Sequence, residues 1–189
     1  MKIALIGEDP NDTTAIQIIL ENYCEDKHEY EVLLKRVRGS MWDSPKYLLA
    51  LSLEYEERKP DVTVLMRDLD GLENDKKQKK ERNAFLNKAN ACVNHTGVKL
   101  LHIWELEALL FADIDNLNTH YGTAIAKPND PMAIKEPKEE LMRRTAQCTK
   151  PYREGDVAEV CEKLDPAILV ANCRYFAHFI REIRNKGVK

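Results

Sequence analysis

Val62-Thr63-Val64-Leu65-Met66-Arg67-Asp68-Leu69-Asp70-Gly71 decides how this chain folds. Residues 62–66 are almost continuously apolar and β-branched, the composition of a central strand covered on both faces of a parallel sheet. An Asp-x-Asp follows at once, and Gly71 then permits a tight turn away. Two residues apart on an extended backbone, Asp68 and Asp70 point to the same side, which suits a hard cation held through oxygen. The plainer reading of the same residues is an acidic turn in solvent.

Toward the N-terminus, Lys2–Ile6 reads as a buried strand. Residues 13–23 read as a helix with Ile16, Ile19, Leu20 and Tyr23 inside and Asp12 as its N-cap. Residues 30–37 form a second expected strand. Ser44-Pro45 opens a helix over residues 44–58, which Pro60 ends. Toward the C-terminus, Phe85, Leu86, Ala89, Cys92 and Val93 recur with helical spacing in a long helix over residues 75–93. Residues 98–103 read as a fourth strand and residues 105–111 as the start of another helix.

The order βαβαβαβ predicts an α/β fold of Rossmann-like type: a mostly parallel four-stranded sheet with helices on both faces. Beyond Asp113 no strand pattern follows, and Pro128, Pro131, Pro137, Pro151 and Pro166 break the chain into short pieces. Residues 136–147, 156–164 and 166–186 read as helices, the last with Cys173, Phe176, Ala177, Ile180 and Ile183 as its core stripe. Residues 1–113 are therefore expected to form the core. Residues 114–189 are expected to form a helical C-terminal extension packed on it as one compact unit.

With 189 residues, 43% apolar and 32% charged, the chain can bury one sizeable core. A net charge of −3 excludes the overall basic field of a nucleic-acid packaging protein, though not a local basic patch. Five scattered cysteines without a CxxC pair argue against a disulfide framework and a zinc site, and for a reducing compartment. Met1–Ile6 is too short for a signal peptide, and no apolar run approaches a membrane span, so a cytoplasmic location is expected.

Acidic residues recur at other strand ends. Gly7-Glu8-Asp9-Pro10-Asn11-Asp12 follows the first strand, and Trp104-Glu105-Leu106-Glu107 follows the fourth. Each has an ordinary reading, as turn chemistry, a helix cap or first-turn acids that favour the helix dipole. Together they are carboxylates delivered to the sheet edge at which parallel α/β folds bind ligands.

Glu8, Asp12 and Asp68-x-Asp70 resemble the pattern of Toprim domains, which bind Mg²⁺ for phosphodiester chemistry. Within that group the spacing is similar to the overcoming-lysogenization-defect nucleases. A closer resemblance is to a small Toprim-like family of unknown function, often encoded beside an ATPase in what look like prokaryotic defence operons. It is carried by Gly7-Glu8-Asp9-Pro10-Asn11-Asp12, Asp68-Leu69-Asp70, Trp104–Asp113, Glu136-Pro137-Lys138 and Cys173-Arg174-Tyr175-Phe176. Asp9 stands where that family usually has a small residue, and Asn11 where Thr or Ser is usual.

The resemblance implies a Mg²⁺- or Mn²⁺-dependent nuclease with two ions, acting in anti-phage defence with an ATPase partner. Glu8 and Asp12 would hold one metal, Asp68 and Asp70 the other or bridge both, and Glu105 and Glu107 would complete the set. Glu8 and Asp68 would also act in catalysis, and Lys138 would neutralise charge in the transition state. For nucleic acid, Lys76, Lys77, Lys79, Lys80 and Arg82 form one basic cluster, and Arg143, Arg144, Lys150 and Arg153 another; either is also an ordinary solvated helix face.

The five histidines lack ligand spacing and read as structural or surface residues, and Trp42 and Trp104 as packing. Two rival readings stand beside the nuclease. One is a non-catalytic Toprim-like module of an ATPase. The other is a haloacid-dehalogenase-type phosphatase, whose nucleophile motif normally closes the first strand, whereas here the Asp-x-Asp closes the third.

Overall fold

The computed structural model describes residues 1–35, 42 and 44–189. Four strands form one sheet: β1 (Lys2–Ile6), β2 (Glu29–Val32), β3 (Val62–Asp68) and β4 (Gly97–His102). Their order is β2-β1-β3-β4 and every pairing is parallel. The fold is thus α/β and Rossmann-like, with the sheet parallel throughout.

Side chains alternate across the strands and feed two cores. Ile3 and Leu5 of β1, Val62, Val64 and Met66 of β3, and Val98 and Leu100 of β4 face one cluster. That cluster also takes in helix α1 (Pro10–Tyr23) and helices α7 (Val157–Cys161), α8 (Pro166–Asn172) and α9 (Arg174–Asn185) from the C-terminal third. Ala4, Ile6 and Leu65 face the other, with helices α2 (Pro45–Arg58) and α3 (Lys76–Cys92) and the buried Trp42. The C-terminal helices therefore complete one face of the sheet, because α1 alone could not cover it. At ~1.5–3 kcal/mol per buried large apolar side chain, this shared cluster ties the two parts of the chain together.

Several boundaries differ from the expected ones for local reasons. Helix α1 starts at Pro10 with Asp9, not Asp12, as its N-cap: the Asp9 carboxylate accepts from the Asn11 amide at 2.7 Å, and proline at the first position suits the start. Strand β2 stops at Val32, since Leu34 is left-handed (φ 55°) and its amide donates to the Glu54 carboxylate at 2.9 Å. The expected end at Val37 lies outside the described residues. Strand β3 runs on through Asp68 because β4 pairs with it as far as Asp68 beside His102.

After β4 the chain forms α4 (Glu107–Leu110), a 3-10 turn (Phe111–Asp113) and a helix absent from the sequence expectation, α5 (Ile114–Tyr121). Asp113 caps α5 while also accepting the Asp165 amide at 2.7 Å, and Gly122 (φ 65°) ends it. Helix α6 spans Pro137–Thr145. The helix expected over residues 166–186 is two, broken at Cys173, whose extended backbone turns its thiol inward to 3.7 Å from the Met132 sulfur.

Candidate functional site

The chain leaves β1 toward β2 on one side and returns to β3 on the other, so the C-terminal ends of β1 and β3 flank the switch point of the sheet. Ligands of open α/β folds sit in that crevice. Asp68 closes β3 on the α1 side of the sheet, Asp12 lies in the first turn of α1, and Glu107 opens α4.

Asp12 and Glu107 lie close enough to Asp68 to raise it, and Glu107 close enough to Asp12 to do the same. Burial, then Asp68's neighbours Asp12, Glu107, Asp70 and Glu8, hold the Asp68 carboxyl well above its ordinary range. Asp12 is raised from 3.8 to about 7 by burial, then by Glu107, Asp9, Glu8 and Glu154. Glu107 is also raised by burial, although the Tyr152 hydroxyl, donating to its Oε1 at 2.8 Å, works the other way. Asp68 Oδ1 is buried with no hydrogen-bond partner among the described residues. A buried carboxylate oxygen left so normally answers to a cation or an ordered polar ligand. The thiol of Cys161 is buried against Glu107 and Asp12 and pushed far up, so it is inert as a nucleophile.

The remaining predicted ligands are each met by a cation. Glu8 lies 2.8 Å from Arg67 Nε, and the buried Arg67 guanidinium packs over the Phe85 ring at 4.8 Å. Glu105 pairs with Lys138 at 3.3 Å, and Lys138 also reaches Glu154 at 3.7 Å. Burial opposes the charge on Lys138, but Glu105, Glu154 and Glu107 outweigh it and hold the ammonium charged. Asp70 is near enough to raise Asp68, but its own carboxylate turns toward solvent. Its left-handed backbone (φ 55°) ends the extended path, and its half-exposed carboxylate pairs with Arg82. The two-residue periodicity that would align it with Asp68 holds only while the strand continues.

The β3 and β4 exits are laced together. The Leu69 amide donates to the His102 carbonyl at 2.9 Å, that of Asp70 to Trp104 at 2.9 Å, and that of Trp104 to Gly71 at 3.0 Å. Trp104 is itself left-handed (φ 59°), and a bulky residue held so costs on the order of 1–3 kcal/mol, a strain that concentrates at functional sites. Beside Asp68 in the register, His102 is buried and neutral, its pKa lowered by burial to about 3, with Nδ1 3.1 Å from the Tyr175 hydroxyl.

The basic clusters fare unequally. Arg143 and Arg144 both bond to Glu140, and Lys150 pairs with Glu159 and Asp156, so the α6 cluster is largely neutralised within itself. On α3, Lys79 lies 3.4 Å from Glu73, while Lys76, Lys77 and Lys80 are exposed with no carboxylate partner among the described residues. Arg67, Tyr152, His102 and Tyr175 are the site neighbours that the sequence reading missed. Two of them carried a signal: Arg67 as a charge near the end of an otherwise apolar strand, and Tyr175 as part of the Cys173-Arg174-Tyr175-Phe176 stretch.

Among the described residues no group of three His, Cys, Asp or Glu side chains is placed to hold a metal ion as the side chains stand. Asp12, Asp68 and Glu107 nonetheless carry oxygens of the kind that suits Mg²⁺ or Mn²⁺, and a cation would relieve the repulsion on Asp68 and Asp12. Among the described residues no helix is long and apolar enough to cross a membrane. No curated protein and no solved structure matches the chain. A family model does, over residues 7–184, and the chain belongs to that family, described as a domain of unknown function (DUF4276).

Proposed function

We propose that this protein is a divalent-cation-dependent phosphodiester hydrolase acting on nucleic acid. The observation that carries the reading is the buried Asp68 carboxyl at the switch point, its Oδ1 without a hydrogen-bond partner among the described residues and its charge opposed by Asp12 and Glu107. Asp12, Asp68 and Glu107 would hold Mg²⁺ or Mn²⁺. A second ion would draw on Glu8 or Asp70 and displace Arg67 or Arg82 from them. When bound, such ions supply Lewis acidity toward the phosphate and a water of lowered pKa.

The chain's own residues have separate tasks. Lys138, kept charged between Glu105 and Glu154, is set to neutralise charge on a phosphoryl oxygen. Tyr152 fixes the Glu107 carboxylate by its hydroxyl bond. Asp12, raised to about 7 by burial and its acidic neighbours while no cation is bound, would release its proton as the metal binds. The Toprim relationship, the anti-phage setting and the ATPase partner belong to the same proposal and rest on the motif resemblance alone.

One observation favours a second reading, a non-catalytic module: the carboxyls do not form a closed cage. Cleavage of plasmid, linear duplex and single-stranded substrates with Mg²⁺ or Mn²⁺, beside calorimetric metal titration, separates the two. Metal-dependent cleavage lost in Asp68→Ala supports the hydrolase. Metal binding without cleavage, alone or with an ATPase added, would leave only the module.

A further inference from the structure

A second concavity, of about 510 Å³, opens at the free edge of the sheet beyond β4. Lys79 and Asn83 of α3 line one side, Lys99, Leu101 and Ile103 its floor, and Arg174, Tyr175 and His178 of α9 the other side. Three fixed positive charges there face one carboxylate, Glu73, which bridges the mouth by exposed ion pairs to Lys79 at 3.4 Å and Arg174 at 3.2 Å. Exposed pairs of this kind are weakly held and open readily to a competing anion. Lys99 is kept in place by the Asn87 side-chain oxygen. Helix α9 starts at this groove with no side-chain cap hydrogen bond, which adds the partial positive charge of a helix N-terminus.

We propose that this groove seats the phosphodiester backbone of a nucleic-acid strand. A free phosphate needs one or two donors, whereas these cations are spread along the cavity from α3 across the strand edge to α9, as a series of phosphates requires. The partly exposed Leu101 and the Tyr175 ring offer a surface for sugar and base. Tyr175 also bonds to His102, the neighbour of Asp68, so a strand lying in the groove leads toward the carboxyl crevice. The proposal deepens the hydrolase reading and rests on it for the direction of the strand, but backbone binding here needs no metal.

Fluorescence anisotropy with labelled single-stranded DNA, single-stranded RNA and duplex, all in EDTA, tests it. The variants are Lys99→Glu with Arg174→Glu, and separately Lys79→Gln with His178→Gln. Lys46→Glu with Lys163→Glu is the charge-matched control. The groove pairs should weaken binding at least about 10-fold and flatten the salt dependence by about one unit of slope per lost contact, with the control within about twofold. Equal losses in control and groove variants, no binding by the wild type, or binding of pyrophosphate but of no oligonucleotide would each overturn the groove. Groove-dependent binding in EDTA, together with no cleavage of the same oligonucleotides once Mg²⁺ or Mn²⁺ replaces EDTA, would sink only the hydrolase.

Discussion

Asp68 and Asp70 stand two residues apart at one strand end and meet opposite surroundings. Asp68 is buried beside Asp12 and Glu107, with one oxygen unpartnered among the described residues and its pKa raised by burial and its acidic neighbours. Asp70, turned outward by a left-handed backbone, is half exposed and paired with Arg82. A similar division runs through the other acids: Glu8 and Glu105 are ion-paired with Arg67 and Lys138, whereas Asp12 has only like charges acting on it and Glu107 has a hydroxyl in place of an ion pair. A protein that leaves buried carboxyls repelling one another gives up stability, and such cost is commonly the mark of a site kept for function.

The largest effect should separate the two aspartates directly. Asp68→Asn is expected to cut metal affinity and any metal-dependent cleavage by more than about 100-fold, while Asp70→Asn, which touches a second ion alone and only after Arg82 gives way, costs about 10–100-fold. Equal losses in calorimetry and cleavage would erase the distinction between the inner and outer acids.

Stability against pH gives the next effect. With its pKa raised from 3.8 to about 7, Asp12 binds its proton more tightly folded than unfolded. Its contribution is therefore complete below the unfolded value and is lost as pH rises through about 7, and Asp68 and Glu107 are shifted the same way. Denaturant unfolding without metal should show roughly 2–4 kcal/mol lost between about pH 4 and pH 8, and Asp12→Asn should flatten that fall. Added Mg²⁺ should stabilise the wild type more at the alkaline end, and a pH-independent Mg²⁺ effect would argue against Asp12 as a ligand.

Tyr152→Phe removes the one hydroxyl bonded to Glu107 in a buried place, so a loss of about 1–2 kcal/mol is expected by thermal unfolding. A change under about 0.3 kcal/mol would mean that Glu107 is satisfied without it. Smallest of the set, Asp9→Ala should cost about 1 kcal/mol through the lost α1 cap, against a gain for Asp12→Asn at neutral pH. If both changes destabilised alike, Asp12 would be a structural residue after all.

Much of the fold was legible. The apolar run of β3, the alternating strands and helices, and the proline-broken C-terminal third predicted a four-stranded α/β sheet with a helical remainder, and the likeness to a family of unknown function agrees with the DUF4276 match. Less was legible wherever a distant group outbid a local rule. Asp12 read as a cap until Asp9 took that place, and the single helix over residues 166–186 broke where Cys173 turned inward to Met132.

By itself, then, the sequence determined the period of each segment and the placement of acids after strands, because backbone geometry and side-chain alternation are local. Only the tertiary structure decided which acids are neutralised. Arg67 comes to Glu8 across two strand ends, Arg82 to Asp70 from a helix, and Lys138 to Glu105 from the C-terminal third. Tyr152 likewise reaches Glu107 over 45 residues of chain. Charge compensation depends on distance and burial in space, and neither is written in the spacing of residues along the chain.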